Sequence, residues 1–170
     1  SHDTERFLTM INGSQKKAKL GFLIQFTLCG APAVYYGDEI GLQGEGDPDC
    51  RRAFEWNESK WDCTLRDWIK QLIRLRKEKA CLSRGKLTMI EPGTQSDVLA
   101  FFRETEVEGA IVAINLSDLN VKIEVDLKNT QLRNCSRLRN LLAAEIYNVE
   151  SSKIVLQIPC MTGVILYPEY

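Results

Sequence analysis

The sequence predicts an α/β part followed by an all-β part that forms an antiparallel β-sandwich. A helical pattern over residues 14–29 runs almost directly into the apolar stretch at residues 33–36, which is typical of a parallel α/β layer covered on both faces. After about Arg84 the hydrophobic period changes from helical to alternating, which is typical of antiparallel strands. We therefore predict one domain, or part of one, over residues 1–83 and a second domain over residues 84–170.

Two helices are predicted in the first part. Ser14 can cap the first helix, whose second half is apolar nearly all round, and Gly30 and Pro32 end it. The second helix has apolar residues at the i, i+3, i+4, i+7 and i+8 positions, which indicates an amphipathic helix with one buried face. These residues are Leu65, Trp68, Ile69, Leu72 and Ile73.

Residues 33–36 have the sequence Ala-Val-Tyr-Tyr, which is apolar and rich in β-formers, so we interpret them as a buried strand. The segment that follows, residues 37–63, is rich in glycine and charged residues. A long loop at the end of a buried strand is a usual place for functional residues.

Five strands are predicted in the second part because their sequences alternate or are continuously apolar. Turns at Pro92-Gly93, Glu108-Gly109 and Ser117-Asp118 separate several of them, which is the pattern of an antiparallel sandwich. The predicted strands cover residues 98–102, 110–114, 121–127, 154–158 and 163–167.

The composition is that of an ordinary globular protein, with 44% hydrophobic residues, 26% charged residues and a net charge of −1. It excludes disorder, collagen, a coiled coil and a basic nucleic-acid-binding tail. The longest apolar run, residues 20–28, is far shorter than the ~20 residues that a membrane span needs. We therefore expect neither a nucleic-acid partner nor a membrane partner.

Six cysteines are scattered without a C-x-x-C pair or a neighbouring histidine, so a zinc site and a thioredoxin-like redox motif have no spacing to support them. We predict free, buried thiols. Unpaired cysteines favour a reducing cytoplasm, and residues 1–6 lack the pattern of a secretory signal.

The glycine-rich loop offers polar groups that suit a carbohydrate. Asp47 provides carboxylate acceptors and Arg51 a planar set of donors, which is a chemistry suited to the vicinal hydroxyls of a sugar. A local ion-pair network that fixes the loop is an equally good interpretation. His2 and Asp3, taken alone, are better explained by helix capping.

Aromatic residues in and around the loop could stack on a sugar face. Core packing is the better interpretation for Tyr35, whereas the role of Trp56 at the edge of the loop stays open. The adjacent carboxylates Asp38 and Glu39 point in different directions and cannot flank one bond as an acid and a nucleophile, so we predict a structural hydrogen-bonding role for them.

Three motifs in order resemble the C-terminal part of the α-amylase superfamily, and within it the neopullulanase, cyclomaltodextrinase and maltogenic amylase group. They are Ser1-His2-Asp3-Thr4-x-Arg6, the segment GAPAVYYGDEIG over residues 30–41, and Asp47-Pro48-Asp49-Cys50-Arg51-Arg52 with Trp56. The resemblance covers the whole chain. It implies the last elements of a TIM (β/α)8 barrel, from the end of strand seven to helix eight, followed by the β-sandwich of this family.

The resemblance also implies a role for each matching residue. Asp3 matches the third catalytic carboxylate, which binds the sugar hydroxyls and stabilises the oxocarbenium-like transition state. His2 matches a histidine that binds the same sugar. Asp47 and Arg51 match a loop pair that contacts the substrate on the non-reducing side of the cleavage point. All four would lie at the C-terminal ends of barrel strands, where barrel enzymes build their active sites.

A complete barrel needs about 250 residues, so the nucleophile and the acid–base carboxyl that the resemblance implies would lie upstream. We therefore expect the C-terminal fragment of a retaining α-glucan hydrolase that is inactive by itself. Ala53-Phe54 departs from the proline-methionine pair that is usual in the family. The alternative is a non-catalytic carbohydrate-binding or interaction module of the same superfamily.

No cofactor is expected from this chain, because the residues that would decide calcium binding lie upstream. The expected partners are α-glucan oligosaccharides. An incomplete barrel leaves an unpaired strand edge and an uncovered apolar face. We therefore predict either self-association through residues 33–36 or association with an upstream segment of the same enzyme.

Overall fold

The computed structural model describes residues 2–169 as two compact units. The first unit contains the described residues up to Phe26 together with Ala31–Arg74. The second contains Thr27–Gly30 and the described residues from Leu75 onward. The boundary between residues 83 and 84 that the change of hydrophobic period indicates stays a prediction.

The first unit is built on the helices α1 (Phe7–Met10) and α2 (Gln15–Thr27) and on most of α3 (Cys63–Glu78). Ser14 Oγ accepts the backbone N–H of Lys17 at 3.4 Å, so Ser14 caps α2 as predicted. Both predicted helices are confirmed. The face that α3 buries carries the leucines and isoleucine of the amphipathic pattern, namely Leu65, Ile69 and Leu72.

The prediction of a buried strand at residues 33–36 is wrong for this structure. No strand is found between residues 31 and 36, and Ala33 and Tyr36 are exposed. A strand needs a neighbour to bind its backbone N–H and C=O groups, and within residues 2–169 no strand lies beside this segment. Gln25 Nε2 donates to the Ala33 carbonyl at 2.8 Å instead. The strand edge predicted for self-association is therefore not formed.

The loop that follows is irregular, as predicted, but it contains three short 3-10 helices, at Asp38–Ile40, Asp49–Arg51 and Glu58–Lys60. Gly37 precedes the first of them with a φ of 89°, a left-handed conformation that favours glycine. A Cβ at Gly37 would also lie 2.7 Å from Leu42 Cδ2. Glycine is therefore required at this turn both for its backbone and for its size.

The second unit contains the helix α4 (Ala80–Arg84) and two antiparallel sheets. The larger sheet has the order β1-β2-β3-β8-β5-β6, and its strands are Lys86–Met89, Val98–Glu104, Gly109–Asn115, Thr162–Pro168, Arg137–Asn140 and Ile146–Asn148. The smaller sheet pairs β4 (Val121–Asp126) with β7 (Lys153–Ile158), so that Val121 faces Ile158 and Ile123 faces Leu156.

The two sheets contribute to one apolar core. In β4 and β7 buried and exposed residues alternate strictly, so each strand buries one face. Every residue of β3 is buried, because this strand lies between β2 and β8 in the larger sheet. The five predicted strands are therefore confirmed and the described pairs are antiparallel, as expected.

Two arginines satisfy the carbonyl groups at the C-terminal end of α2. Arg103, which is 1% exposed, donates from Nη1 to the Thr27 carbonyl. Arg76 donates from Nη1 to the Leu28 carbonyl at 3.0 Å and from Nη2 to the Gly30 carbonyl at 2.5 Å. The last carbonyls of a helix have no partner within the helix, so Arg103 supplies one for Thr27, the last residue of α2. Arg76 binds carbonyls of the segment that follows the helix.

The six cysteines are free, as predicted, but not all are buried. Cys50 and Cys81 are buried, whereas Cys29, just beyond α2, and Cys63, the first residue of α3, are exposed. Burial and the nearby Glu108 carboxylate raise the pKa of the Cys81 thiol to about 12. Among the described residues no helix is both long and apolar enough to cross a membrane.

Candidate functional site

The four predicted site residues meet at one guanidinium group. Arg51 Nη2 lies 3.5 Å from Asp3 Oδ1, and Arg51 Nε lies 3.4 Å from Asp47 Oδ1. Arg51 Nε also donates to the His2 carbonyl at 2.9 Å. The side chains are 48% exposed for Arg51, 60% for His2 and Asp47, and 64% for Asp3. The structure therefore joins two segments that lie more than forty residues apart.

The neighbours of Asp3 include a histidine and an arginine side chain. Its Oδ1 lies 3.1 Å from His2 Nε2 and also contacts the Arg51 guanidinium. Exposed ion pairs of this kind contribute only about 0–1 kcal/mol to folding. The cluster therefore adds little stability, while its exposed oxygen and nitrogen atoms can accept and donate hydrogen bonds to a polyhydroxyl ligand.

A second ion pair fixes the loop locally. The Arg52 guanidinium binds both carboxylate oxygens of Asp49, and Asp49 Oδ2 also accepts the Glu45 backbone N–H at 2.8 Å. These hydrogen bonds hold the pKa of Asp49 below its usual value. The two interpretations left open for the loop thus apply to different residues, because Asp49 and Arg52 fix the loop whereas Arg51 reaches out of it to Asp3.

The backbone that carries Arg51 is anchored on two sides. Cys50 is buried, and its Sγ lies 3.2 Å from the His2 carbonyl oxygen. The Tyr36 hydroxyl lies 3.1 Å from the Arg51 carbonyl and 3.0 Å from the Arg52 carbonyl and donates toward both. These contacts fix the backbone position from which the Arg51 side chain extends.

Sequence reasoning missed a role for Arg6, although the residue belongs to the first motif. Its side chain is fully buried, and its guanidinium carbon lies 4.5 Å from the Tyr35 ring centroid and 4.6 Å from that of Tyr36. Nη1 donates to the Tyr36 carbonyl at 2.5 Å and to Asp38 Oδ1 at 3.3 Å. The predicted structural role of Asp38 is confirmed by this contact. No signal in the sequence marks Arg6 as buried.

Burial raises the pKa of Asp38, and the Arg6 guanidinium opposes that rise. A side-chain hydrogen bond with Tyr36 and desolvation raise the pKa of Tyr35, which is half-buried rather than part of the buried core. Arg6 thus links the backbone just after Asp3 to the segment that carries Tyr36. The tyrosine in turn positions Arg51.

An apolar pocket of about 650 Å³ lies in the first unit beside His2. Helix α2 and the extended segment around Val34 form its walls, which include Phe7, Phe22 and Ile24. Among residues 2–169 no group of three or more His, Cys, Asp or Glu side chains could hold a metal ion.

Comparison with known proteins agrees with the motifs. The family model described as the α-amylase catalytic domain matches residues 1–70. A cyclomaltodextrinase of Geobacillus thermopakistaniensis is 34% identical over 169 residues, which are 98% of this chain and 28% of that protein. Neopullulanase 2 of Thermoactinomyces vulgaris is 44% identical over 115 residues, which are 68% of this chain and 20% of that protein.

Solved structures resemble the chain over almost its whole length. A debranching enzyme of Nostoc punctiforme has a TM-score of 0.86 at 32% identity, covering 98% of this chain and 34% of that one. An α-amylase of Geobacillus thermoleovorans, solved with acarbose, has a TM-score of 0.86 at 25% identity, covering 99% of this chain and 37% of that one.

These comparisons indicate the class: residues 1–70 match the α-amylase catalytic domain, and the chain as a whole is similar to glycoside hydrolases of the α-amylase superfamily. Its curated relatives bear the names cyclomaltodextrinase, neopullulanase and maltogenic amylase, which is the group that the three motifs indicated. The chain spans 28% or less of the length of the two curated relatives described above.

Proposed function

We propose that the chain is the C-terminal portion of a retaining α-glucan hydrolase that cleaves cyclodextrins, pullulan or starch oligosaccharides. In this proposal its first part completes a TIM barrel and its second part is the β-sandwich that follows the barrel. The observation that carries the proposal is the contact of one guanidinium, Arg51, with Asp3, Asp47 and the His2 carbonyl. The names of the relatives support the substrate class.

In this role Asp3 binds hydroxyls of the glucose unit at the cleavage point. Its hydrogen bonds strengthen as the ring distorts toward the oxocarbenium-like transition state, which lowers the barrier by several kcal/mol. Arg51 and His2 hold the Asp3 carboxylate in place from two sides. Asp47 and the remaining donors of Arg51 bind the sugar units on the non-reducing side.

The nucleophile and the acid–base carboxyl are assigned to residues upstream of this chain, as the resemblance implies. The 170-residue polypeptide alone is then expected to release no reducing sugar from cyclodextrin or pullulan. Release by a preparation whose intact mass is 19.4 kDa would contradict the proposal.

A chimaera tests the role of Asp3 directly. The chain replaces the matching part of the Geobacillus thermopakistaniensis cyclomaltodextrinase, to which it is 34% identical. The chimaera is expected to hydrolyse cyclodextrin, and Asp3→Asn is expected to lower kcat by roughly a hundredfold or more. Asp67→Asn, at an exposed position of α3, serves as the matched control and leaves kcat unchanged.

The alternative function, a non-catalytic carbohydrate-binding or interaction module, gives a different outcome. The chimaera would then fold and bind maltoheptaose without cleaving cyclodextrin. An Asp3→Asn chimaera with full activity would refute the proposed catalytic role of Asp3. Maltoheptaose binding would then decide whether the loop binds sugar.

We propose an upstream segment of the same enzyme as the partner of the apolar pocket beside His2, because the pocket walls carry Phe7, Phe22 and Ile24. Self-association is the competing partner. Sedimentation from micromolar to millimolar concentration separates them: a stable dimer supports self-association, and a monomer that binds the upstream part of the relative supports the proposal.

The proposed compartment is a reducing cytoplasm. Its support is the six free cysteines and a relative named intracellular maltogenic amylase from Bacillus subtilis, which is 35% identical over 133 residues.

A further inference from the structure

Trp56 differs from the other tryptophans of the chain in its exposure. It is 80% exposed, whereas Trp61 and Trp68 are half-buried. Trp61 donates its indole N–H to the Glu55 carbonyl at 2.6 Å, and Trp68 donates to the Lys19 carbonyl at 2.9 Å. Within residues 2–169 no acceptor binds the indole N–H of Trp56. This indole therefore presents both a broad apolar surface and an unused donor to solvent.

The exposed indole is held in place from one side. The Phe54 ring lies 4.8 Å from the Trp56 ring at 65°, and 5.9 Å from the Trp61 ring at 70°. The Arg66 guanidinium lies 4.9 Å from the Trp61 ring, whose N–H is already bonded. Contacts of this kind restrict the rotamers of Trp56, so less side-chain entropy is lost when a ligand binds it.

The position of Trp56 along the chain places it near the polar cluster. It follows Arg51 by five residues, so their Cα atoms are at most about 18 Å apart. The Tyr36 hydroxyl fixes the carbonyls of Arg51 and Arg52, from which this segment extends. An oligosaccharide bound by Asp47 and Arg51 can therefore extend to Trp56.

We propose that Trp56 is a stacking platform for a glucose unit of the same α-glucan chain whose other units are bound by Asp47 and Arg51. A pyranose ring carries C–H groups on its face and hydroxyls on its rim. An indole matches both, since its surface is apolar and its N–H can donate to a hydroxyl. This inference rests on the proposed function. It adds to the substrate site a contact with Trp56, whose role the sequence left open.

The test uses the 170-residue chain labelled with ¹⁵N. Its three indole N–H signals are assigned with tryptophan-to-phenylalanine variants, and maltoheptaose is added. The signal of Trp56 is expected to shift, and Trp56→Ala is expected to raise the Kd about tenfold. Trp56→Phe keeps an aromatic face and should retain most of the affinity. Val107→Ala, a change at a residue that is 85% exposed in the second unit, is the matched control and leaves the Kd unchanged.

Arg51→Ala separates the platform from the proposed function. If Arg51→Ala weakens maltoheptaose binding and Trp56→Ala does not, the platform is refuted and the proposed function stands. If only Trp56→Ala weakens binding, the indole binds the glucan without Arg51, which refutes both the role of the Arg51 loop and the platform as part of one shared site. No shift and no binding by the unaltered chain would overturn both. A Trp56 signal that moves with an upstream polypeptide of the relative but not with maltoheptaose would show that protein covers the indole, which also overturns the platform.

Discussion

Replacing Arg6 by methionine should destabilise the first unit strongly. The change removes the ion pair with Asp38, the hydrogen bond to the Tyr36 carbonyl and the contacts with two tyrosine rings. Removing one member of a buried pair costs about 3–5 kcal/mol, because the other charge stays buried without its partner. We expect the free energy of unfolding to fall by that amount, because methionine retains part of the packing of the Arg6 side chain.

The loss should depend on pH through Asp38. Burial raises the pKa of this carboxyl, and Arg6 opposes the rise, so Arg6→Met raises it further. A carboxyl with a higher pKa in the folded than in the unfolded state takes up protons on folding. Its contribution therefore falls as pH rises above the unfolded pKa of about 3.9. The difference between the variant and the unaltered chain should be smallest near pH 4 and grow toward pH 7.

Urea unfolding followed by tryptophan fluorescence measures this effect, because all three tryptophans lie in the first unit. The urea midpoint of Arg6→Met should fall by at least about 1 M. The control is Arg52→Met, which removes an exposed pair with Asp49 and should cost under about 1 kcal/mol. Equal effects of the two changes would refute the reasoning. Asp38→Leu added to Arg6→Met should recover part of the loss, since no buried charge is then left unpaired.

Three further predictions concern the second unit and the loop. Phe101→Ala should cost about 3–5 kcal/mol in urea unfolding followed by circular dichroism, because Phe101 is fully buried, and a loss under 1 kcal/mol would contradict this. Gly85→Ala should cost about 1–3 kcal/mol, since the added Cβ would lie 2.3 Å from the Cys81 carbonyl oxygen, whereas Gly46→Ala meets no atom within 4 Å and should be neutral. Iodoacetamide at pH 8 should alkylate the exposed Cys29 well before Cys81, whose thiol pKa is raised to about 12; equal rates by peptide mass spectrometry would be inconsistent with this burial.

The elements that the sequence predicted are those in which one local signal suffices. The Ser14 cap and the stop signals Gly30 and Pro32 define α2, and alternation defines strands such as Val121–Asp126. The missed strands have three or four residues each, too few for a period to be visible; they are Lys86–Met89, Arg137–Asn140 and Ile146–Asn148. Residues 33–36 are the opposite case, a predicted strand that does not form. Their apolar, β-forming composition indicates burial and strand propensity, but it does not supply a neighbouring strand to pair with.

The site divides in the same way. His2, Asp3, Asp47 and Arg51 were predicted from motifs, and the structure brings them together around one guanidinium. Arg6 could not be predicted, since the groups that compensate its buried charge come from residues about thirty positions later in the chain. From hydropathy alone an arginine is expected at the surface. Its burial can be predicted only when the groups that bind its charge are known.

The contacts of Arg76 and Arg103 with the end of α2 limit where the β-rich unit can be cut or exchanged. Thr27–Gly30 is grouped with this unit although residues 31–74 separate it from the rest. A shortened chain that starts at residue 84 would keep Arg103 and lose its Thr27 acceptor, leaving a buried guanidinium without one of its hydrogen bonds. Exchanging the second unit between relatives therefore requires Thr27–Gly30 to be transferred together with the strands. The unit is compact in space but is encoded by two separate segments of the gene.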